Sequence, residues 1–436
     1  MLVLSILDGP IFLAPSELAA IDLIECRLDL MPNFKPENLY QYPKPVIFTL
    51  RHHGHGGGFE GSIEALCAAI LDYCKYHPAY IDLDCRLPLS LFQTIRQNFP
   101  KIKIIASYHQ FEADVSKLSP YLQGAVDCDL LKIAMYCDHA EDVLDLFSLK
   151  SPKPLSLIPM GEFANFGRII AKIIGNNLDY VALTPETKTA AGQLSLDELI
   201  HLYQYPKLNA NTKIYALLAT HVSRSVGHRF HNAYMHARQK NAVYVKIEQG
   251  KDGFHALLAK LLAFPFYGLS LSMPLKLAFQ EGLVVNTLVR NHNQWLPFNT
   301  DGEAVAELLD IKPGTTILIL GSGGAAQGIA EALVFRGAGI HYLARNGGDY
   351  GFEDELPQFE VIINTLPAAA FDERRWFESQ LKKVLVGADK ILDIIYHEQT
   401  LVQQLAIALA LPFYSGLQMF EAQALLQQDL WQLRGS

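Results

Sequence analysis

The sequence predicts an α/β protein in which a closed, parallel (β/α)8 barrel is followed by a two-lobed α/β module. Three observations carry this. Short apolar strands alternate with helical stretches up to about residue 200, the pattern of parallel βα units. A polar, turn-rich run, Tyr203–Lys213, then interrupts the alternation. Beyond it two further α/β series begin, and the later one opens with a strand that runs into a glycine-rich turn.

The candidate strands of the first part are Ala20–Cys26, Val46–Leu50, Ala79–Leu83, Ile102–Ser107, Leu130–Ile133, Leu155–Pro159 and Tyr180–Leu183. Helix-like segments Ser62–Tyr76, Pro88–Gln97 and Ala140–Leu149 fall between them. Seven or eight strands in roughly 200 residues favour a closed barrel over an open sheet, and barrels carry their active sites at the C-terminal strand ends. The first domain is therefore expected over residues 1–208. The second module begins with the strand Ile214–Ala219 and subdivides near residue 303. One lobe is expected to comprise residues 212–302 plus 413–436, and a Rossmann nucleotide-binding lobe residues 303–412.

Bulk properties agree with this division. At 436 residues the chain calls for two to four domains. Half of it is hydrophobic and 19% is charged, enough apolar material for large cores. A net charge of −9 argues against a nucleic-acid surface, which needs clustered Lys and Arg. The opening MLVLSILDGPIFLAP has no basic n-region, and no apolar run reaches membrane-spanning length, so neither a signal peptide nor a membrane partner is expected. The six cysteines (Cys26, Cys67, Cys74, Cys85, Cys128, Cys137) form no CxxC pair and fit reduced thiols in a cytoplasmic protein.

Chemically useful residues cluster where the barrel strands should end. Glu25 and Arg27 close the first candidate strand, Arg51 follows the second, His109 follows the fourth, Lys132 lies in the fifth, and Arg168 follows the Met160-Gly161-Glu162-Phe163 turn. A lysine inside an apolar strand is costly to bury charged, which lowers its pKa and makes it a candidate nucleophilic amine. Each residue also has a plain reading: a lysine reaching a carboxylate across the barrel, a hydrogen-bonded histidine, arginines in surface ion pairs. The joint pattern decides between them. Glu25-x-Arg27-x-Asp29, Thr49-x-Arg51, Ser107-Tyr108-His109, Leu131-Lys132-Ile133-Ala134, Met160-Gly161 with Arg168, and Thr189-Ala190-Ala191-Gly192-Gln193 occur in this order.

Over residues 1–200 that set resembles type I 3-dehydroquinate dehydratase. The resemblance implies that Lys132 forms a Schiff base with the substrate ketone and that His109 is the general base and then acid. It further implies that Arg168 clamps the carboxylate. Glu25, Arg27 and Arg51 would orient hydroxyls and the lysine, while Thr189 and Gln193 lie on a covering loop. Two positions depart from the family. His55 stands where the family has an acid, in Arg51-His52-His53-Gly54-His55-Gly56-Gly57, and Ala191 stands where proline is common. The three histidines lack the carboxylate or cysteine partners of a metal site, so no metal is expected.

In the second module, Thr315–Leu320 followed by Gly321-Ser322-Gly323-Gly324-Ala325-Ala326 is a strand, a glycine turn and a helix start. Glycines there let the backbone approach a pyrophosphate, whose charge the free N–H groups of the helix receive. The next strand, Gly339–Leu343, ends in Ala344-Arg345-Asn346. An arginine at that end suits the 2′-phosphate of NADP rather than the bare ribose of NAD.

Residues 212–436 resemble shikimate dehydrogenase. The matching pieces are Ser223-Arg224-Ser225, Ser272-Met273-Pro274-Leu275-Lys276 (serine for the family's threonine), Asn286-Thr287, Asn299-Thr300-Asp301-Gly302, Asn364-Thr365, Asp393 with Tyr396, and Gly416-Leu417 with Gln423. The resemblance implies a catalytic pair, Lys276 as proton donor and Asp301 positioning it. It also implies carboxylate binding by Ser223 and Ser225, hydroxyl binding by Ser272, Asn286, Thr300 and Gln423, and contact of Tyr396 with substrate or nicotinamide. Gly321, Gly323, Gly324, Ala325, Ala326, Arg345, Asn364 and Thr365 would line the NADP site. Ser270 stands where the family prefers asparagine.

Together the resemblances imply a two-enzyme fusion that dehydrates 3-dehydroquinate and reduces the product, 3-dehydroshikimate, to shikimate with NADPH. Two alternatives stay open on the sequence. One is a quinate-preferring or NAD-preferring dehydrogenase with an impaired barrel. The other is a non-catalytic regulator that senses the same metabolites.

Overall fold

The computed structural model describes residues 1–7, 11–123, 126–223, 225–345, 347–372 and 377–433, so Arg224 and Asn346 lie outside the described residues. The chain clusters into two compact units. One comprises residues 1–216, 221–249 and 255–266, the other residues 217–220, 250–254 and 267–436.

The first unit contains the expected parallel barrel. Its strands are β1 (Leu2–Ile6), β2 (Leu23–Arg27), β3 (Val46–Thr49), β4 (Tyr80–Asp84), β5 (Lys103–Gln110), β6 (Leu130–Tyr136), β7 (Leu155–Met160) and β8 (Asp179–Ala182). They pair in the order β7-β6-β5-β4-β3-β2-β1-β8. The seam between β7 and β8 is bridged by side chains. Asn176 accepts from Leu157 N at 3.1 Å and donates to Leu157 O at 2.8 Å, while Ser156 Oγ accepts from Leu178 N at 2.7 Å.

Three expectations need correction. β1 is absent from the candidate strands, yet it pairs with both β2 and β8 and joins β8 to the rest of the sheet. The candidate strand Ala20–Cys26 begins too early, because Pro15–Ala20 is a short helix whose first turn is tied by Glu17, accepting from Ala14 N at 2.7 Å. His109 lies within β5, not after it. Elsewhere the local signals hold. The helix Ile63–Cys74 starts at Ser62, whose hydroxyl accepts from Ala65 N, and buries Leu66, Ile70 and Cys74 at i, i+4, i+8 spacing.

Inside the barrel, residues alternate between inward and outward faces. An apolar layer of Val3, Leu23, Ile47, Ile105, Leu130 and Leu178 fills the interior. Nearer the C-terminal strand ends the buried residues turn polar: Ser5, Glu25, Arg27, Thr49, Asp82, Ser107 and Lys132. Buried charges persist only when paired or hydrogen-bonded, so this layer is where function is to be sought.

A five-stranded sheet has the order β10-β9-β11-β12-β13, formed by β9 (Lys213–Ala219), β10 (Ala242–Glu248), β11 (Phe266–Leu271), β12 (Thr287–Asn291) and β13 (Gln294–Phe298). In the second unit, Trp431 at the end of the helix Gly416–Leu430 donates to Leu288 O at 3.2 Å and fills the space that a side chain at Gly268 would need. That packing fixes the helix over β12.

The third sheet is parallel, β15-β14-β16-β17-β18, with β14 (Thr316–Leu320), β15 (Gly339–Leu343), β16 (Val361–Asn364), β17 (Lys390–Asp393) and β18 (Phe413–Ser415). The strand order reverses at β14, the topological switch point beside which doubly wound sheets bind their ligands.

Candidate active sites

In the first unit, the C-terminal strand ends enclose a cavity of about 220 Å³ lined by Glu25, Arg27, Arg51, His109, Lys132, Arg168, Thr189 and Gln193 among others. All eight residues assigned to this site from the sequence therefore meet in one place. Glu25 is held between Ser5 and Thr49, accepting from their hydroxyls at 2.6 and 2.8 Å. Arg27 forks onto Asp29 at 3.0 and 2.7 Å.

Lys132 occupies β6 in register with Ser107 and Ser156 on its neighbours. Its surroundings are not purely apolar: Nζ donates to Asp82 of β4, which is 2% exposed. Asp82 also accepts from Ser107 Oγ at 2.6 Å and Arg51 at 3.1 Å. Burial would raise the Asp82 carboxyl, but Lys132 and Arg51 outweigh it and bring the pKa down from 3.8 to about 2. Asp82 is absent from the residues chosen on the sequence. The available signal was the run Tyr80–Asp84, which places Asp82 and Asp84 on one face of an otherwise buried strand.

His109 is pushed well below 6.5, first by burial and then by the positive charges of Arg51, Lys132 and Arg27, and its Nδ1 has no hydrogen-bond partner. At neutral pH it is an uncharged imidazole able to take a proton. Arg168, in the helix Asn165–Ile170, is brought down to about 10 by burial and leaves Nε unpaired. It stays cationic at neutral pH, with a free donor for an anion.

The loop carrying Thr189 and Gln193 is fastened at two points. Gln193 Oε1 accepts from Thr189 N at 2.9 Å and from its hydroxyl at 3.2 Å. Gly161 N donates to Ala191 O at 3.2 Å. Gly192 has φ +80°, and a Cβ there would overlap Gly161 O, so only glycine lets the loop sit this close. His55 lies 3.6 Å from Asp84, whose carboxylate is forked by Arg86 at 2.7 and 2.8 Å. Among the described residues no group of three or more His, Cys, Asp or Glu is placed to hold a metal.

In the second unit, Lys276 sits in the short helical turn Leu275–Leu277 and donates to Asp301 in the first turn of the helix Thr300–Leu308. Asn286 organises the pair: its Nδ2 donates to Asp301 at 2.8 Å and Thr300 Oγ1 at 2.9 Å, and its Oδ1 accepts from Thr300 N at 2.8 Å. Thr300 Oγ1 reaches Gln423 Oε1 at 3.4 Å. Asn299 caps the helix by accepting from Asp301 N at 3.1 Å. The backbone carbonyl of Ser272, at the head of the turn, accepts from Leu275 N at 2.8 Å. Gln427, one helical turn beyond Gln423, was not singled out in the sequence. It accepts from Ser270 Oγ at 3.0 Å and donates to Thr287 Oγ1 at 3.0 Å, which gives Ser270 a fixed role. Tyr396 is 44% exposed, beside Phe420.

Ser223 and Ser225 belong to the first unit, in the turn before the helix Gly227–Ala237, where Ser225 Oγ accepts from Gly227 N at 3.2 Å.

The glycine turn after β14 fits a dinucleotide. Gly321 has φ +106°, and a Cβ there would lie 2.5 Å from Thr365 Oγ1. A Cβ at Gly323 would meet nothing within 4 Å, leaving open space at the start of the helix Gly324–Phe335, whose first amides receive no side-chain cap. Ala325 and Ala326 follow in its first turn. Thr365 Oγ1 donates to Leu320 O at 2.7 Å and Asn364 Nδ2 to Leu366 O at 3.0 Å, fixing the adjoining end of β16. Arg345 is exposed just past β15. Asp349 does not oppose it freely, because its carboxylate accepts from Tyr342 N at 2.8 Å.

Residues 15–210 match the family described as type I 3-dehydroquinase. The shikimate biosynthesis protein AroDE of Chlamydia pneumoniae is 30% identical over 381 residues, covering 80% of this chain and 79% of that one. The chloroplastic bifunctional 3-dehydroquinate dehydratase/shikimate dehydrogenase of Arabidopsis thaliana is 26% identical over 365 residues, covering 73% of this chain and 60% of its own. Among solved structures, dehydroquinate dehydratase and shikimate dehydrogenase from S. pombe AroM covers 98% of this chain and 95% of its own, at 19% identity and a TM-score of 0.42.

Proposed function

The chain belongs to the family of bifunctional 3-dehydroquinate dehydratase/shikimate dehydrogenase proteins, and on that premise we propose how its own residues carry the two reactions. The protein is a lyase and an oxidoreductase of the shikimate pathway. The observation that carries the first assignment is the single cavity into which Lys132, His109, Arg168, Arg27, Arg51 and Glu25 converge.

Lys132 attacks the ketone of 3-dehydroquinate, and loss of water gives an iminium. For this the ammonium must first yield a proton and leave Asp82. The iminium withdraws electrons from the neighbouring carbon, whose proton passes to the neutral imidazole of His109. The resulting enamine expels the β-hydroxyl, which takes the proton from His109 and departs as water. Hydrolysis of the conjugated iminium releases 3-dehydroshikimate and restores Lys132. Arg168 holds the carboxylate, and Glu25, braced by Ser5 and Thr49, with Arg27 and Arg51 orients the ring. Thr189 and Gln193 close the loop over it.

In the second half, Gly321, Gly323, Gly324, Ala325, Ala326, Asn364 and Thr365 would hold NADPH and Arg345 would meet its 2′-phosphate; the bound cofactor would supply the hydride. Lys276 gives a proton to the carbonyl oxygen of 3-dehydroshikimate as it is reduced, and Asp301 keeps that ammonium aimed. Asn286, Thr300, Gln423 and Ser272 bind ring hydroxyls, and Tyr396 flanks the ring. The dehydratase occupies residues 1–208 and the NADP lobe residues 303–412, between the two parts of the substrate lobe, 212–302 and 413–436. A cytoplasmic location accords with six free cysteines, four of which burial pushes up to about 12. Among the described residues no helix is long and apolar enough to cross a membrane.

The two assignments separate in variants of the full chain. Lys132→Ala is expected to abolish dehydration and leave reduction intact, and Lys276→Ala the reverse. An unchanged pair of activities in both variants would overturn the assignment.

A further inference from the structure

The barrel cavity contains a polar atom to which the mechanism above gives no task. Tyr180 lies on β8 in register with Val3 of β1, two residues before Ser5, and lines the same cavity as Lys132, Arg168 and Ser5. Lys132 Nζ stands over its ring, 4.7 Å from the centroid, where the negative face of the ring attracts a cation. Ala134, Ile158 and Met160 pack against the same side chain and hold the ring in place. Its hydroxyl is buried and has no hydrogen-bond partner.

An unpaired buried hydroxyl is destabilising, and phenylalanine would fill the same space without it. Such a group is understandable where a ligand completes it. Burial first, and then the charges of Glu25 and Asp82, hold the phenol well above 10, so it remains a donor throughout the working pH range. The same cavity wall carries three more polar atoms without partners, Nε of Arg51, Nδ1 of His109 and Nε of Arg168, all in residues assigned to substrate or to its chemistry. Tyr180 shares their condition and their cavity.

We propose that Tyr180 is a further substrate-contacting residue of the dehydratase, its ring seating the Lys132 amine and its hydroxyl donating to an oxygen of the bound hydroxy-ketone. This rests on the dehydratase reading of the barrel. Tyr180→Phe in the full chain keeps the ring and removes only the donor. The expected result is a rise of about tenfold in KM for 3-dehydroquinate, with reductase activity unchanged and an unfolding temperature no lower than that of the parent. Borohydride should still trap a ligand adduct on Lys132 in this variant.

Dehydratase KM and kcat within twofold of the parent would overturn the proposal while leaving the dehydratase reading intact. Loss of both activities with a lower unfolding temperature would also overturn it, by showing a structural role only. A parent protein that neither dehydrates nor forms the adduct would overturn the reading beneath it as well.

Discussion

Replacing Asp82 by Asn tests the electrostatic frame of the barrel site. The substitution keeps the shape and removes one charge, leaving the buried ammonium of Lys132 and guanidinium of Arg51 without the carboxylate that now receives both. Breaking a buried pair from one side costs about 3–5 kcal/mol. A second route to the magnitude uses the carboxyl itself, which the two cations bring from 3.8 to about 2. At about 1.4 kcal/mol per unit, that difference corresponds to a stabilisation on the order of 2 kcal/mol. Asp82→Asn is therefore expected to destabilise the barrel by about 3 kcal/mol at pH 7.

The sign of the pH dependence follows from the lowered value. Above the unfolded pKa of 3.8 the carboxylate is ionised in both states and its contribution is complete. As pH falls below 3.8 the unfolded chain takes up the proton first, and the contribution is gone once the folded group protonates near 2. The assay is urea unfolding of the full chain by circular dichroism at pH 7, 5 and 3, with reductase activity reporting the second half separately. The gap between parent and variant should be constant from pH 7 to 5 and narrow at pH 3. A gap below about 0.5 kcal/mol at pH 7, the range of an inconsequential surface change, would refute the reasoning.

Other consequences are as direct. Gly192→Ala should lift the covering loop off Gly161 and raise the dehydratase KM about tenfold or more, with reductase kinetics as the control. Because burial and its cationic neighbours hold His109 well below 6.5, dehydratase kcat/KM should stay flat from pH 7.5 down to 6.5 and fall only at lower pH. A midpoint at or above 6.5 assigned to His109 would contradict the placement. Arg345→Ser should raise KM for NADPH about tenfold while changing KM for NADH little, and equal effects on both cofactors would count against a 2′-phosphate contact.

Much of this architecture was legible in the sequence because the barrel writes its period locally. Strands β3 to β8 are short apolar runs bounded by turns and were placed to within a few residues. β1 was not, because the helix that follows Leu2–Ile6, Pro15–Ala20, is only six residues long and gives little helical signal to mark a βα unit. Lys132 and His109 stand out through their motifs. Asp82 does not, since its meaning lies in a partner 50 residues away across the barrel. Tyr180 escaped for a similar reason: an aromatic residue in a strand reads as core until its hydroxyl is seen to be unpaired. Gln427 was within reach, because it follows Gln423 by four residues and so lies on the same helical face.

The central claim is that Lys132 becomes covalently bonded to the substrate. Incubation with 3-dehydroquinate, reduction with borohydride and peptide mass spectrometry should find a ligand-sized adduct on the peptide containing Lys132 and none in Lys132→Ala. Active dehydration without any adduct, or an adduct that persists in Lys132→Ala, would contradict it.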